Sequence, residues 1–181
     1  VFGIAGEFLG DSTYAATLMS LPLDFKEYLD SRDPGFRYLK LLLDLPAHAI
    51  EYFIRIVETV PLRVNLFRSM LDLAVDIIAR DGRLPETGFD TREEDRRKIE
   101  DIFYTELFTL RYPEYSALRA DAQTMIDKIS HNAVSVDFPE FFEGGTFRVC
   151  VSISASDTAE SVRRRLDSVD AGLCAGLAAF L

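Results

Sequence analysis

The sequence predicts a mainly α-helical protein: a helical bundle containing a helix-turn-helix, followed by a small C-terminal α+β module made of a β-hairpin and a helix. Two observations lead to this fold class. From residue 2 to about residue 130, apolar residues recur every three or four positions, which is the period of helices that bury one face. From Val134 to Ile153 they alternate instead, which is the period of strands. We therefore expect a helical region at residues 1–130 and a hairpin-plus-helix module at residues 131–181.

Residues 2–20 are expected to form two short helices around a tight turn. Gly10 can adopt the left-handed conformation that ends the first helix, and Asp11 or Ser12 can cap the second. This arrangement is the shape of a helix-turn-helix. The alternative is that the two helices only pack against each other and bind nothing.

The rest of the helical region is divided by residues that begin or end helices. Pro46 suits the first turn of a helix, and Gly82 follows a stripe of apolar residues and predicts a helix C-terminus. Thr91 and Glu94 fit a capping box for the next helix. The charge run REEDRRKIED alternates in sign, so we interpret it as a solvated helix face rather than an acid and base site.

The alternating segment is expected to form a hairpin. Its apolar positions are Val134, Val136 and Phe138 in the first strand and Phe147, Val149, Val151 and Ile153 in the second. Pro139 and the pair Gly144 and Gly145 lie between the two runs and predict a turn or short loop. Because a lone hairpin is marginally stable in water, a helix or a second copy of the hairpin must cover its apolar face.

The helix after the hairpin is expected to begin at a capping box formed by Asp157 and Glu160. Apolar residues then follow at spacings of four, three and four, which is typical of a coiled-coil seam. They are Val162, Leu166, Val169 and Leu173. We predict a homodimer whose interface combines this seam with Phe147, Val149 and Val151 of the hairpin. The alternative is that the helix lies on its own hairpin.

The composition is that of an ordinary globular protein, with 48% hydrophobic and 28% charged residues in a chain of 181. The formal net charge is −10. This charge excludes a surface that binds nucleic acid throughout, since phosphate binding draws on clustered lysine and arginine. A local basic face is still compatible with it. The densest cluster is Arg163, Arg164 and Arg165, which we expect either to contact phosphate loosely or to form a solvated helix face.

The few histidines and cysteines do not predict a metal site. His48 and His131 lie far in sequence from Cys150 and Cys174, and neither has a further ligand at a zinc spacing. Two cysteines give no disulfide framework, so we expect a reducing, cytoplasmic location. The chain begins with Val1 directly in a helical pattern, so we expect it to be a piece of a longer protein.

No catalytic motif is apparent in the sequence. It contains no nucleophile elbow, P-loop or dinucleotide fingerprint. Glu140 and Glu143 flank two phenylalanines, but no nucleophile, metal ligand or basic partner accompanies this carboxylate pair. We therefore expect no catalytic residues, no cofactor and no metal, and a protein that is not an enzyme.

Several stretches together resemble the middle and C-terminal parts of ParB-type chromosome partition proteins. They are the N-terminal helix pair, SLPLDFKEYLDS, YLKLLLDLP, NLFRSMLDLAVDIIARDG, TLRYPEYSAL and FPEFFEGGTFRVCVSI with its following helix. The resemblance covers nearly the whole chain. The family's N-terminal nucleotide-binding domain, with its arginine-rich motif, is not matched.

The resemblance implies a bacterial, cytoplasmic, nucleoid-associated protein without a membrane segment. Its helix-turn-helix would bind DNA, and its C-terminal module would form a homodimer and contact DNA loosely. The groove-facing candidates are Ser12, Thr13, Tyr14 and Thr17, and the looser contacts would come from Arg163, Arg164 and Arg165. Residues 10–22 contain no lysine or arginine, so the alternative is a protein interaction or dimerisation scaffold of the same fold without DNA affinity.

Overall fold

The computed structural model describes residues 12–85, 95–131, 133–139 and 141–181. These residues form mainly helices, with one two-stranded antiparallel sheet near the C-terminus, which confirms the predicted fold class. The chain divides into two compact units, Val1–Tyr112 and Pro113–Leu181. Each unit has its own apolar core.

The first unit is helical throughout its described regular elements. They are α1 (Ser12–Ser20), α2 (Leu23–Arg32), α3 (Phe36–Leu43), α4 (Ala47–Thr59), α5 (Val64–Asp81) and α6 (Arg96–Arg111). Pro46 is the N-cap of α4, as its position in the sequence predicts. Gly82 ends α5 with φ at 76°, and its N–H donates to the carbonyl of Ile78 at 2.8 Å. Glycine adopts this left-handed conformation without a steric penalty, so the helix stops there.

Aromatic rings fill the centre of the first unit. Phe53 on α4 lies edge-on to Phe67 on α5 with ring centroids 5.5 Å apart. Tyr28 on α2 meets the same ring from another side at 5.7 Å. Each such pair contributes about 0.5–1.5 kcal/mol beyond its buried area. The three rings therefore join α2, α4 and α5 around one point of the core.

The second unit contains the sheet. Its elements are α7 (Pro113–Ile129), β1 (Val134–Asp137), β2 (Arg148–Val151), α8 (Ala159–Asp167) and α9 (Ala171–Ala178). The strands are antiparallel, with Val134 opposite Val151 and Val136 opposite Val149. This register places the predicted apolar positions on one face of the sheet and confirms the hairpin.

Among the described residues of the link between the strands, three have a positive φ. Phe142 has a φ of 56°, Gly144 of 105° and Gly145 of 62°. Two glycines suit this region because a Cβ would be strained there. Phe142 also adopts this left-handed conformation, and its ring packs against the ring of Phe138 with centroids 5.7 Å apart.

The boundary between the units differs from the predicted position near residue 130. Helix α7 belongs with the hairpin, because Ala122 and Ile129 share the core that contains Val134 and Leu177. Periodicity shows that α7 has an apolar side, but it does not show which elements cover that side.

The prediction of one long helix after the hairpin is wrong. Helix α8 ends at Asp167, and α9 begins after Asp170, whose carboxylate accepts hydrogen bonds from the N–H groups of Gly172 at 2.7 Å and Leu173 at 3.0 Å. Asp170 thus caps a new helix and divides the predicted coiled-coil seam. The four seam residues do not lie on one helix.

The capping box at the start of α8 also differs from the predicted one. Thr158 and Ser161 form it, with reciprocal side-chain to backbone hydrogen bonds of 3.2 and 3.1 Å. The first helix of the helix-turn-helix and the capping box at Thr91 and Glu94 lie outside the described residues.

Candidate functional site

The groove-facing candidates on α1 are partly engaged inside the first unit. The hydroxyl of Tyr14 donates to Oδ1 of Asp44 at 2.6 Å, and Nζ of Lys40 lies 5.8 Å from the centre of the Tyr14 ring. The hydroxyl of Thr17 donates to the carbonyl of Thr13 at 3.1 Å. The side chain of Thr13 is exposed, and Ser12 begins the helix with a side chain that is not described.

The three arginines of α8 have different surroundings. Arg165 forms a two-pronged ion pair with Asp157, with N–O distances of 2.8 and 2.6 Å, and also donates to the carbonyl of Ser152 at 2.8 Å. Arg163 is 84% exposed and lies 3.9 Å from the carboxylate of Asp167. Arg164 is exposed. Arg163 and Arg164 therefore face solvent, whereas Arg165 anchors α8 to the segment after β2.

Asp157 is the acceptor at the centre of this anchor. Besides the two bonds from Arg165, its carboxylate accepts the backbone N–H of Ser154 at 2.6 Å. Hydrogen bonds from Arg165, followed by the bond from Ser154, hold the pKa of the Asp157 carboxyl well below its usual range. The carboxylate consequently stays charged at neutral pH and continues to bind Arg165 on α8.

Most of the predicted dimerisation residues pack inside their own chain. Phe147, Val149 and Val151 belong to the core of the second unit together with Val169 and Leu173. Side chains of α7 and α9, including Met125, Ile126 and Leu177, complete this core together with Phe180, which follows α9. The hairpin's apolar face is thus covered by helices of the same chain, which is one of the two solutions that the sequence left open.

Val162 and Leu166 are the exceptions among the predicted dimerisation residues. They lie on α8, which buries none of its side chains, and neither belongs to the core of the second unit. Leu166 is 55% exposed. We call these two residues the α8 face. Val162 is half-buried, so Leu166 is the exposed apolar side chain of this face, and contiguous exposed apolar area often marks a contact surface.

Ile153 adds a further exposed apolar side chain near this helix. It is 64% exposed and lies two residues after the end of β2. The hydrogen bond from Arg165 to the carbonyl of Ser152 joins α8 to the residue that precedes Ile153.

His131 and Ser168 form a pair that the sequence did not predict. His131, in the link between α7 and β1, places Nε2 at 2.8 Å from the hydroxyl oxygen of Ser168, which follows α8. Its Nδ1 lies 3.0 Å from the carbonyl of Ile129, and the Ser168 hydroxyl lies 2.6 Å from the carbonyl of Arg165. The two residues are 37 positions apart, and no sequence pattern relates them.

The described residues contain no group of three or more histidine, cysteine, aspartate or glutamate side chains that could hold a metal ion. Cys150 is exposed and Cys174 is half-buried, and both are free thiols. Glu140, one of the two glutamates considered as an acid and base pair, lies outside the described residues. Among the helices of the described ranges, none has the length and apolar character needed to cross a membrane.

No protein family, curated protein or solved structure matches this chain.

Proposed function

We propose that this chain is the DNA-contacting and dimerising portion of a ParB-like chromosome or plasmid partition protein, with its second unit as the pairing module. The resemblance of its sequence to that family supports the assignment. Such a protein would act in the cytoplasm at the nucleoid, and it would bind partners rather than catalyse a reaction.

The observation that supports pairing is the uncovered α8 face. An amphipathic helix in a protein that acts alone normally packs its apolar residues into the core. Here Leu166 is 55% exposed, and Ile153, which follows the residue bound by Arg165, is 64% exposed. Covering these side chains with a partner would remove apolar area from water, which is the main favourable term in association.

A second copy of the chain is the proposed occupant of this face. Helix α8 carries both signs of charge, with Arg163 and Arg164 against Glu160 and Asp167. A two-fold arrangement brings the same helix from each chain together, so one surface must be complementary to itself. A helix of mixed charge satisfies this condition, whereas a helix of one sign would repel its copy.

Sedimentation velocity at low and high protein concentration tests pairing. We expect the wild-type chain to sediment as a dimer at high concentration and the Leu166→Lys variant to remain monomeric. Leu118→Lys is the matched control, because Leu118 is 50% exposed on α7 of the same unit and should leave the dimer intact. A monomeric wild-type chain, or a dimer that persists in Leu166→Lys, would reject pairing through this face.

Loose binding to DNA is assigned to Arg163 and Arg164. Both are exposed, and pairing would bring two copies of them to one interface. Titration of labelled duplex DNA at several salt concentrations tests this part. Replacing both arginines with glutamine should lower the slope of log affinity against log salt by roughly two for each chain that contacts the DNA, about one for each phosphate that is no longer neutralised. An unchanged slope would show that these residues do not bind the DNA.

The second candidate function is a dimerisation or protein interaction scaffold without DNA affinity. It is favoured by the hydrogen bonds that engage Tyr14, Thr17 and Arg165 within their own units. The net charge of −10 also opposes approach to a polyanion. Absence of DNA binding at low salt, together with an intact dimer, would select this candidate over the first.

A further inference from the structure

We infer that His131 and Ser168 are positioning residues that fix α8, and with it the α8 face, against the second unit. This inference rests on the proposed pairing function, and it adds to that function the interactions that set the orientation of the pairing surface. It begins from the way in which α8 is held.

Helix α8 is attached by polar interactions rather than by apolar packing. None of its side chains is buried, and neither Val162 nor Leu166 joins the core of the second unit. A helix of nine residues is too short to be stable in isolation. Its order must therefore come from the interactions at its ends and from the segments that connect it to β2 and α9.

Two polar anchors of this kind, at Arg165 and at Ser168, lie on either side of Leu166 in the chain. On the side of β2, Arg165 binds Asp157 at 2.6 and 2.8 Å and the carbonyl of Ser152 at 2.8 Å. At the C-terminal end, Ser168 binds the imidazole of His131 at 2.8 Å. Leu166 lies between Arg165 and Ser168 in the chain, so both anchors restrain the backbone that presents it.

His131 is itself firmly placed, which allows it to act as the fixed point. The backbone N–H of His131 donates to the carbonyl of Val134 at 3.0 Å, and the N–H of Val134 donates to the carbonyl of His131 at 2.6 Å. Its Nδ1 faces the carbonyl of Ile129 at 3.0 Å, which orients the ring. Val134 and Ile129 both belong to the core of the unit. The imidazole therefore links this core to α8 through Ser168.

Amide hydrogen exchange of α8 separates positioning from general stabilisation. We expect Ser168→Ala and His131→Asn each to raise the exchange rates of α8 amides by roughly two- to fivefold, as removal of one exposed hydrogen bond should. The double variant should exchange no faster than Ser168→Ala alone, since both changes remove the bond between the imidazole and Ser168, and Ser168→Ala also removes the bond from its hydroxyl to the carbonyl of Arg165. Amides of Ala122 and Leu177 in the core should exchange as in the wild type.

His131→Gln is the rescue variant. The glutamine amide can occupy the place of Nε2 and reach Ser168, whereas the shorter asparagine amide corresponds to Nδ1 and cannot. We expect α8 exchange close to the wild-type rate in His131→Gln. Unchanged α8 exchange in both Ser168→Ala and His131→Asn would overturn the inference, and so would an equal rise in the core amides.

The dissociation constant of the dimer gives the second readout. Only chains with an ordered α8 can pair, and both chains of the dimer must present it, so Ser168→Ala should raise the dissociation constant by the square of the factor by which it lowers the fraction of chains with an ordered α8. Leu166→Lys should abolish association while leaving α8 exchange in the monomer unchanged. If the wild-type chain proves monomeric, the proposed pairing fails, but the exchange experiment still decides whether His131 and Ser168 hold α8.

Discussion

Arg63 donates a hydrogen bond from Nε to Oε2 of Glu100 across 2.9 Å, although Glu100 is only 1% exposed. Arg63 precedes α5, and Glu100 lies on α6. Arg96 lies one turn before Glu100 with its Nε 3.5 Å from Oε1, and its guanidinium also donates to the carbonyl of Pro61. The buried carboxylate therefore joins α6 to the connection between α4 and α5.

Replacing Glu100 with glutamine should destabilise the first unit by about 2 kcal/mol, because two arginines would face a buried neutral amide. Both guanidinium groups are partly exposed, which keeps the cost below that of a fully buried pair. Urea unfolding measures the change. The control is Glu51→Gln, which removes an exposed ion pair with Arg55 and should cost less than about 0.5 kcal/mol. Equal effects of the two changes would contradict the structural role of Glu100.

Acid should loosen α8 through Asp157. The pKa of its carboxyl is lower in the folded chain than in the unfolded one, because of its hydrogen bonds from Arg165 and Ser154. A group shifted in this direction stabilises the fold above its unfolded pKa, about 3.9 for aspartate, and this contribution is lost as the pH falls further. NMR signals of α8 should therefore shift progressively below about pH 4.

The control for this acid response is the other aspartate that pairs with an arginine of α8. Asp167 is 72% exposed and lies 3.9 Å from Arg163. Asp157→Asn should already show the loosened α8 signals at neutral pH, whereas Asp167→Asn should retain the wild-type acid response. An acid response of α8 that survives in Asp157→Asn would assign it to another group.

Leu107→Ala should be among the more damaging single changes on α6. Leu107 is fully buried in the core of the first unit, and removing its side chain beyond Cβ leaves a cavity. We expect a decrease of about 2–5 kcal/mol in the free energy of unfolding. Ile102→Ala on the same helix is the control, because Ile102 is 57% exposed and its replacement should cost less than about 1 kcal/mol. Thermal or urea unfolding of the two variants compares them directly.

Gly82→Ala should cost about 1 kcal/mol of stability. Gly82 has a φ of 76°, and among the described atoms nothing lies within 4 Å of a Cβ built on it, so the cost would arise from backbone strain alone. Gly82→Asn should cost less, since asparagine tolerates the left-handed region better than alanine. Calorimetric melting temperatures measure both. A larger destabilisation by asparagine than by alanine would contradict the conformational explanation.

Local patterns in the sequence were sufficient to locate the hairpin and two of the helix ends. The change of apolar period at Val134 located the hairpin, and its register follows from the same alternation. Pro46 and Gly82 marked helix ends because their backbone preferences act within one turn. These features depend only on residues close together in the chain.

The interpretation of α8 needed the tertiary structure. The spacing of Val162, Leu166, Val169 and Leu173 fits a single seam, but Asp170 caps a new helix within it. Val169 and Leu173 then enter the core, while Leu166 remains exposed. Aspartate favours the N-cap position for local reasons. Whether a new helix begins at Asp170 depends also on whether the residues that follow it can pack their apolar side chains against the rest of the unit.

The sequence by itself determined the helical class of this protein, the place of its hairpin and the absence of recognisable catalytic motifs. Only the tertiary structure decided that α7 packs with the hairpin, that Arg165 is bound to Asp157, and that His131 meets Ser168. The physical reason is the separation along the chain of the residues involved. Periodicity depends on residues close in sequence, and it identifies which side of a helix or strand is apolar. The element that covers this side, and the hydrogen-bond partner of each polar group, depend on residues that meet only when the chain has folded.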